Sequence, residues 1–300
     1  MPPRPLPLAV AAALALSLLA CTSPRAPEEA AAAASGRIPV VAGFYPLSYA
    51  VQRIGGDRVI AIDLTKPGAE PHDAELTPSD LAVLAKARLV VYLRGFQPAV
   101  DDAVDQRPSA WGPSAEPLEV RAAVPAVGSD PHFWLDPTAY AALVAVLAQR
   151  LGALDPAHAS DYATDAAAFT TELNALDADF RTGLATCRSR ELVTAHEAFG
   201  HLADRYGLTQ VGIAGLSPDH EPSSAKLAEI ATLVKERGVR TIYTEPLVDP
   251  RVAQTLAAST GVQVAVLDPV EGITGASAGA AYPAVMRANL AALRSGQECA

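Results

Sequence analysis

Nowhere in its 300 residues does the sequence cluster lysine and arginine, and its formal charge is −10. Nucleic-acid binding draws its affinity from grouped basic side chains, so that class of partner is excluded. There is no Gly-x-Ser-x-Gly and no phosphate-binding loop; Gly55-Gly56 reads only as a helix stop. Cysteine is scarce, with Cys21, Cys187 and Cys299 far apart, so no cysteine pair has metal-ligand spacing. The one long apolar run, Leu8 to Leu19, is too short for a bilayer core of roughly 30 Å. What remains is a chain that is 50% apolar, enough for sizeable cores, and long enough for two ordinary domains.

The N-terminal run follows Arg4 and ends in Leu18-Leu19-Ala20-Cys21. Small residues before a cysteine at such a place resemble a lipoprotein signal. Residues 1–20 are therefore expected to be a signal peptide, with Cys21 the lipidated N-terminus; an ordinary secretory signal is the alternative. Residues 21–36, rich in Ala, Pro, Glu and Ser, read as a flexible tether. This address is extracytoplasmic, either periplasmic or on the outer face of the cytoplasmic membrane. There Cys187 and Cys299 can pair in a disulfide or stand as two thiols.

From Val40 onward, apolar β-like runs alternate with amphipathic helices. Strands are expected at Val40–Ala42, Val59–Leu64 and Leu89–Leu93, and helices open at Thr77-Pro78 and Asp136-Pro137. A single helix is expected from about Ala159 to Leu184, with Tyr162, Phe169, Leu173, Leu176 and Phe180 on one face. At 1.5 Å per residue it spans roughly 38 Å, the length of a whole lobe pair. The pattern then restarts, with strands at Glu191–Ala195, Val211–Ala214, Arg240–Thr244 and Val262–Leu267. Strands separated by helices imply parallel sheets. We expect an α/β protein of two lobes, each a mainly parallel sheet flanked by helices: residues 37–155, a linking helix at 156–186, and residues 187–300. Ligands of such sheets bind beyond the carboxyl ends of the strands.

Four side chains with metal-ligand chemistry fall at loop or strand ends: His72, His132, His196 and Asp268. Three neutral imidazoles and a carboxylate suit a tetrahedral, borderline-soft cation such as zinc. A lone loop histidine is more often a surface residue, so spacing alone leaves this open. Glu245 ends another strand, where it either orients a ligand imidazole or serves as a cap. Glu197, beside His196, reads first as a helix-start carboxylate and second as an additional partner of the site. His158, His201 and His220 carry no assigned ligand role: His201 reads first as a structural or surface residue and second as a neighbour of the site, and His220 first as a loop surface residue and second as a residue of the cleft mouth.

The segments Gly68–Asp80, Asp130–Pro137, Thr194–Leu208, Ser217–Ser223 and Leu267–Pro269 resemble, in order, those of the metal-specific solute-binding proteins of bacterial ABC importers. That family includes zinc binders, manganese binders and lipoproteins described as adhesins. The resemblance covers roughly residues 38–298. It implies two α/β lobes on one rigid helix, cleft ligands at His72, His132, His196 and Asp268, and delivery of the ion to an importer permease by a membrane-anchored monomer. Histidine at position 196 resembles the zinc members, where manganese members tend to have Glu; imidazole suits zinc and oxygen suits manganese. A manganese-binding relative and a surface interaction protein are the alternatives. Many zinc members carry a His-rich loop between the first two ligands, but residues 97–129 here contain no histidine.

No enzyme is expected. His196 and His201 superficially match a zinc-protease helix, but they are five residues apart and so about 140° apart on an ideal helix. Four protein ligands would also leave no open position for an activated water.

Overall fold

The computed structural model describes residues 36–106, 115–219 and 221–300. The signal, Cys21, most of the tether and His220 lie outside the described residues. The first sheet has four parallel strands, β1 (Ile38–Ala42), β2 (Val59–Asp63), β3 (Leu89–Tyr92) and β4 (Glu116–Glu119), in the order β2-β1-β3-β4. Its helices are α1 (Tyr45–Gly55), α2 (Pro78–Lys86), α3 (Pro98–Asp105) and the single turn α4 (Val120–Ala123). The second sheet repeats the plan with β5 (Glu191–Thr194), β6 (Thr209–Gly212), β7 (Thr241–Thr244) and β8 (Gln263–Val266), ordered β6-β5-β7-β8 and again all parallel. Around it lie α7 (Gly200–Tyr206), α8 (Ser224–Glu236), α9 (Arg251–Thr260) and α10 (Tyr282–Gly296).

Between the sheets run α5 (Pro137–Leu154) and the 25-residue α6 (Ala159–Gly183). By length and composition α5 could cross a membrane. Here it buries Tyr140, Leu143, Val144, Leu147 and Leu151 along α6 and α1, as a core helix does. The face of α6 that carries Tyr162, Phe169, Leu173, Leu176 and Phe180 is buried throughout. These side chains belong to one continuous apolar cluster that also takes in Val40 and Leu47 of the first lobe and Leu192, Tyr243 and Met286 of the second. Each sheet's other face has its own smaller cluster, around Val41, Ile62 and Val90 in one lobe and Val193, Ile230 and Ile242 in the other. A shared core between lobes resists wide hinge opening, because rotation would expose apolar area at roughly 25 cal/mol per Å².

Local chemistry fixes the helix starts that aim loops at the cleft. Thr77 and Asp80 form a reciprocal capping box with Pro78 at the first helical position. Asp136 accepts from the Thr138 N–H at 2.7 Å to open α5. Three elements go beyond or differ from the sequence expectation. The expectation named neither α3 nor β4; for β4 the reason is that Glu116-Pro117-Leu118-Glu119 is an edge strand that buries only one side chain and carries a proline. β6 begins two residues earlier than expected, since Thr209 and Gln210 pair with Glu191 and Leu192 despite their polarity.

Candidate metal centre

In both sheets the strand order reverses beside the first strand, at β1/β3 and β5/β7. Such a switch point opens a crevice at the carboxyl ends of the strands. His72 lies on the loop between β2 and α2, and His132 between α4 and α5. His196 follows β5, and residues 267–281 follow β8.

The structure brings His72, His132, His196 and Glu271 together, with one potential ligand atom from each within 4.8 Å of the others. Glu271 Oε1 lies 3.0 Å from His132 Nε2, 3.4 Å from His72 Nε2 and 3.5 Å from His196 Nε2. The edge of a tetrahedron with bonds of about 2.0–2.1 Å is about 3.3 Å, so these three separations fit a four-coordinate ion. All four atoms are buried and satisfy no hydrogen bond within the protein. Buried polar atoms without partners are costly, and four converging on one point are the signature of a cation site.

Asp268, expected as the fourth ligand, is not in this group. It is buried at the end of β8, but its Oδ1 accepts the Val270 N–H at 2.8 Å, and Asn289 brackets its backbone on both sides. Val270 takes φ 58°, a left-handed turn rare for a β-branched residue, and this turn delivers Glu271 to the imidazoles. Glu197 also stays out of the site. Its side chain is exposed, and its N–H is spent on Gly215 O.

Two of the three imidazoles have a carboxylate on the far nitrogen. Asp130 Oδ1 lies 2.8 Å from His132 Nδ1 and accepts the His132 N–H. Glu245 Oε2 lies 2.6 Å from His196 Nδ1, and Oε1 accepts the His196 N–H at 3.1 Å. Gly200 permits the first arrangement, since a Cβ there would sit 2.5 Å from Asp130 Oδ2. His201, expected at most near the site, sets its Nε2 3.1 Å from the carbonyls of Val127 and Asp130 and so ties α7 to the His132 loop. His158 pairs with Asp155 far from the cleft. Trp134 donates to Pro269 O at 2.7 Å and Tyr282 donates to Trp134 O at 2.6 Å, joining the His132 segment to the loop that carries Glu271. His72 is held differently: its ring packs 4.3 Å from that of Phe96, and the Gln97 amide donates to Pro71 O.

The electrostatics follow from this packing. Burial pushes the His196 pKa down, but Glu245 and Glu271 more than offset it, and the imidazole is raised to about 10. For His132, burial is likewise outweighed by Asp130 and Glu271, and its pKa is raised. Burial would lift Glu271, yet the three histidines hold it well below the usual carboxylate range. The protein surrounds one carboxylate with imidazoles that keep protons until something else neutralises the charge.

A family model described as zinc-uptake complex component A, periplasmic, matches residues 40–296. The chain belongs to this family. The high-affinity zinc uptake system protein ZnuA of Bacillus subtilis is 32% identical over 278 residues, 86% of this chain and 87% of that protein. The zinc-binding lipoprotein AdcA of Streptococcus pneumoniae is 34% identical over 280 residues, 87% of this chain but 56% of AdcA, so the chain spans about half of that curated relative. The Zn(II)-bound structure of the ZnuA-like domain of that AdcA is 33% identical with a TM-score of 0.75, covering 88% of this chain and 100% of the domain. The laminin-binding protein Lmb of Streptococcus agalactiae, described as a bifunctional protein with adhesin and metal transporting activity, is 32% identical with a TM-score of 0.76, covering 87% of this chain and 99% of Lmb.

Cys187 and Cys299 are paired in a disulfide 112 residues apart in sequence. It joins the segment before β5 to the tail after α10, away from the metal centre.

Proposed function

We propose that this chain captures zinc outside the cytoplasm and delivers it to the permease of an ABC importer. The ligands are Nε2 of His72, His132 and His196 and a carboxylate oxygen of Glu271. The observation that carries this is the convergence of four buried, unpartnered ligand atoms within 4.8 Å of one another. Three nitrogens and one oxygen favour zinc over manganese, which takes oxygen-rich octahedral shells. The ion is cargo, and no reaction is assigned to it: four protein ligands fill its shell. Capture joins side chains from both lobes, and the shared core confines the motion to loops rather than a wide hinge. Lipidation at Cys21 would hold the protein, as a monomer, near its permease.

Competitive titration of metal-free mature protein with zinc and manganese tests the reading. Tight 1:1 zinc binding, much weaker manganese binding and loss in His196→Ala are expected. Preferential manganese binding would move the protein to the manganese readers, and binding of neither ion would overturn the reading. The likeness to Lmb supports a second reading, a surface interaction protein, and purified protein that binds an extracellular-matrix protein equally well with and without zinc would favour it. Cys21→Ala should shift the protein from the membrane fraction to the soluble extracytoplasmic fraction.

A further inference from the structure

Glu245 is a buried carboxylate at the end of β7, only 4% exposed, and among the described residues its one ion pair is with His196. Its position follows from the sheet. β5 and β7 pair in parallel with Thr194 opposite Tyr243, so two residues further on His196 lies beside Glu245. The carboxylate flanks His196 on that side: Oε1 accepts its N–H at 3.1 Å, and Oε2 stands 2.6 Å from Nδ1 as the facing half of an ion pair. The remaining backbone group is also pinned: Thr194 Oγ1 donates to His196 O at 2.6 Å and Gln210 Nε2 donates to the same oxygen at 3.0 Å. A carboxylate removed from water is expensive, and among the described residues the polar contacts of this one go to His196.

We propose that Glu245 is a positioning residue for His196, fixing the proton on Nδ1 and the plane of the ring so that the Nε2 lone pair points at the ion. The inference rests on the zinc reading above and deepens it. A ligand histidine free to rotate must lose that freedom on binding, and one with its proton on Nε2 cannot bind at all. With Nδ1 facing a carboxylate, the ring plane and the Nδ1 proton are set when the protein folds, and the ion has only the Nε2 proton to displace. Asp130 stands in the same relation to His132. His72 receives no such carboxylate among the contacts described, so two imidazoles of three are oriented in advance.

The test is a double-mutant cycle on zinc affinity, read by competition with a chelator. Glu245→Gln is close in shape, but its amide can donate to Nδ1 and so favour the wrong tautomer. We expect it to weaken zinc binding about 10- to 100-fold, with metal-free circular dichroism unchanged. Glu245→Asp should recover part of the loss. Because Glu245 acts through His196, the loss should disappear when Glu245→Gln is made in the His196→Ala background. Affinity within twofold of wild type in Glu245→Gln, or an equal loss with and without His196, would overturn the inference while leaving zinc capture intact. Failure of the wild type to bind zinc would instead strike the underlying reading. If His196→Ala abolishes measurable binding, the Nδ1 proton resonance of His196 at saturating zinc decides. It should move strongly upfield in Glu245→Gln, and an unchanged resonance would refute the positioning role.

Discussion

Glu271 and Asp268 stand three residues apart on one loop, and only Glu271 faces the three imidazoles. The difference has a direct consequence. Glu271→Ala removes a ligand and leaves three buried imidazoles without their shared carboxylate, so zinc affinity should fall by at least 100-fold in competitive titration. Asp268→Asn keeps an acceptor for the Val270 N–H and should cost about tenfold or less, the scale of an outer partner. Equal losses in the two variants would return Asp268 to the shell. The three histidines that cluster with Glu271 were candidates because they sit at loop or strand ends, but spacing alone left them open, and it was the resemblance to the metal-binding family that implied all three. The carboxylate was not legible. Asp268 sits directly at a strand end, where ligands are sought, whereas Glu271 depends on a positive φ at Val270, which no residue pattern signals for a valine. Glu197, read first as a carboxylate outside the shell, is exposed, because adjacency in a chain leaving a strand sends neighbouring side chains to opposite sides.

At the scale of elements, the two sheets and the long helix were legible because hydrophobic periodicity is strongest in fully buried parallel strands and in a striped helix. The edge strand β4 was not, since an edge asks for little apolar surface. The same scale governs how His72 is presented. Its loop leaves the end of β2 and is secured by Gln97, whose Nε2 donates to Pro71 O at 3.2 Å and to Thr65 Oγ1 at 3.0 Å, while Thr65 donates to Gly43 O. Gly43 leaves room for this arrangement, for a Cβ would stand 2.4 Å from Gln97 Oε1 and displace the amide. Gln97→Leu keeps the volume and removes the donor, leaving Pro71 O and the Thr65 hydroxyl poorly satisfied. We expect faster zinc release in stopped-flow chelation, about tenfold, with the association rate little changed. An unaltered release rate would show that Gln97 does not hold His72, leaving the Phe96 ring and Glu70, which accepts the His72 N–H at 3.3 Å.

For the whole molecule, the disulfide and the charge of the site set stability in different ways. Closing a loop of 112 residues restricts the unfolded chain. Cys187→Ser with Cys299→Ser should lower the unfolding free energy by about 2–5 kcal/mol without changing zinc affinity, since the bridge lies away from the centre; a large affinity change would link the tail to the cleft. The site itself makes the sign of the pH dependence differ between metal-free and zinc-loaded protein. In the metal-free fold, His196 is raised to about 10 and His132 is raised, so their contribution is fully present below the unfolded value of about 6.5 and is lost as pH rises toward 10. Glu271 is lowered, so its contribution is present above about 4.5 and is lost as pH falls. Zinc needs neutral Nε2 atoms and must displace the protons that the metal-free site holds. From the free imidazole value alone, affinity would decline only below about pH 6.5; the raised pKa of His196 carries that decline up through the neutral range. Between pH 6 and 9 the melting temperature of metal-free protein should therefore fall with pH, while zinc affinity climbs by about tenfold per unit for each proton displaced. Calorimetric melts with and without zinc at pH 6, 7.5 and 9 should show the stabilisation by zinc widening steadily. A zinc-induced shift that stays constant across this range would mean that the histidines are already neutral before the ion arrives, and that the buried carboxylates do not hold their protons in place.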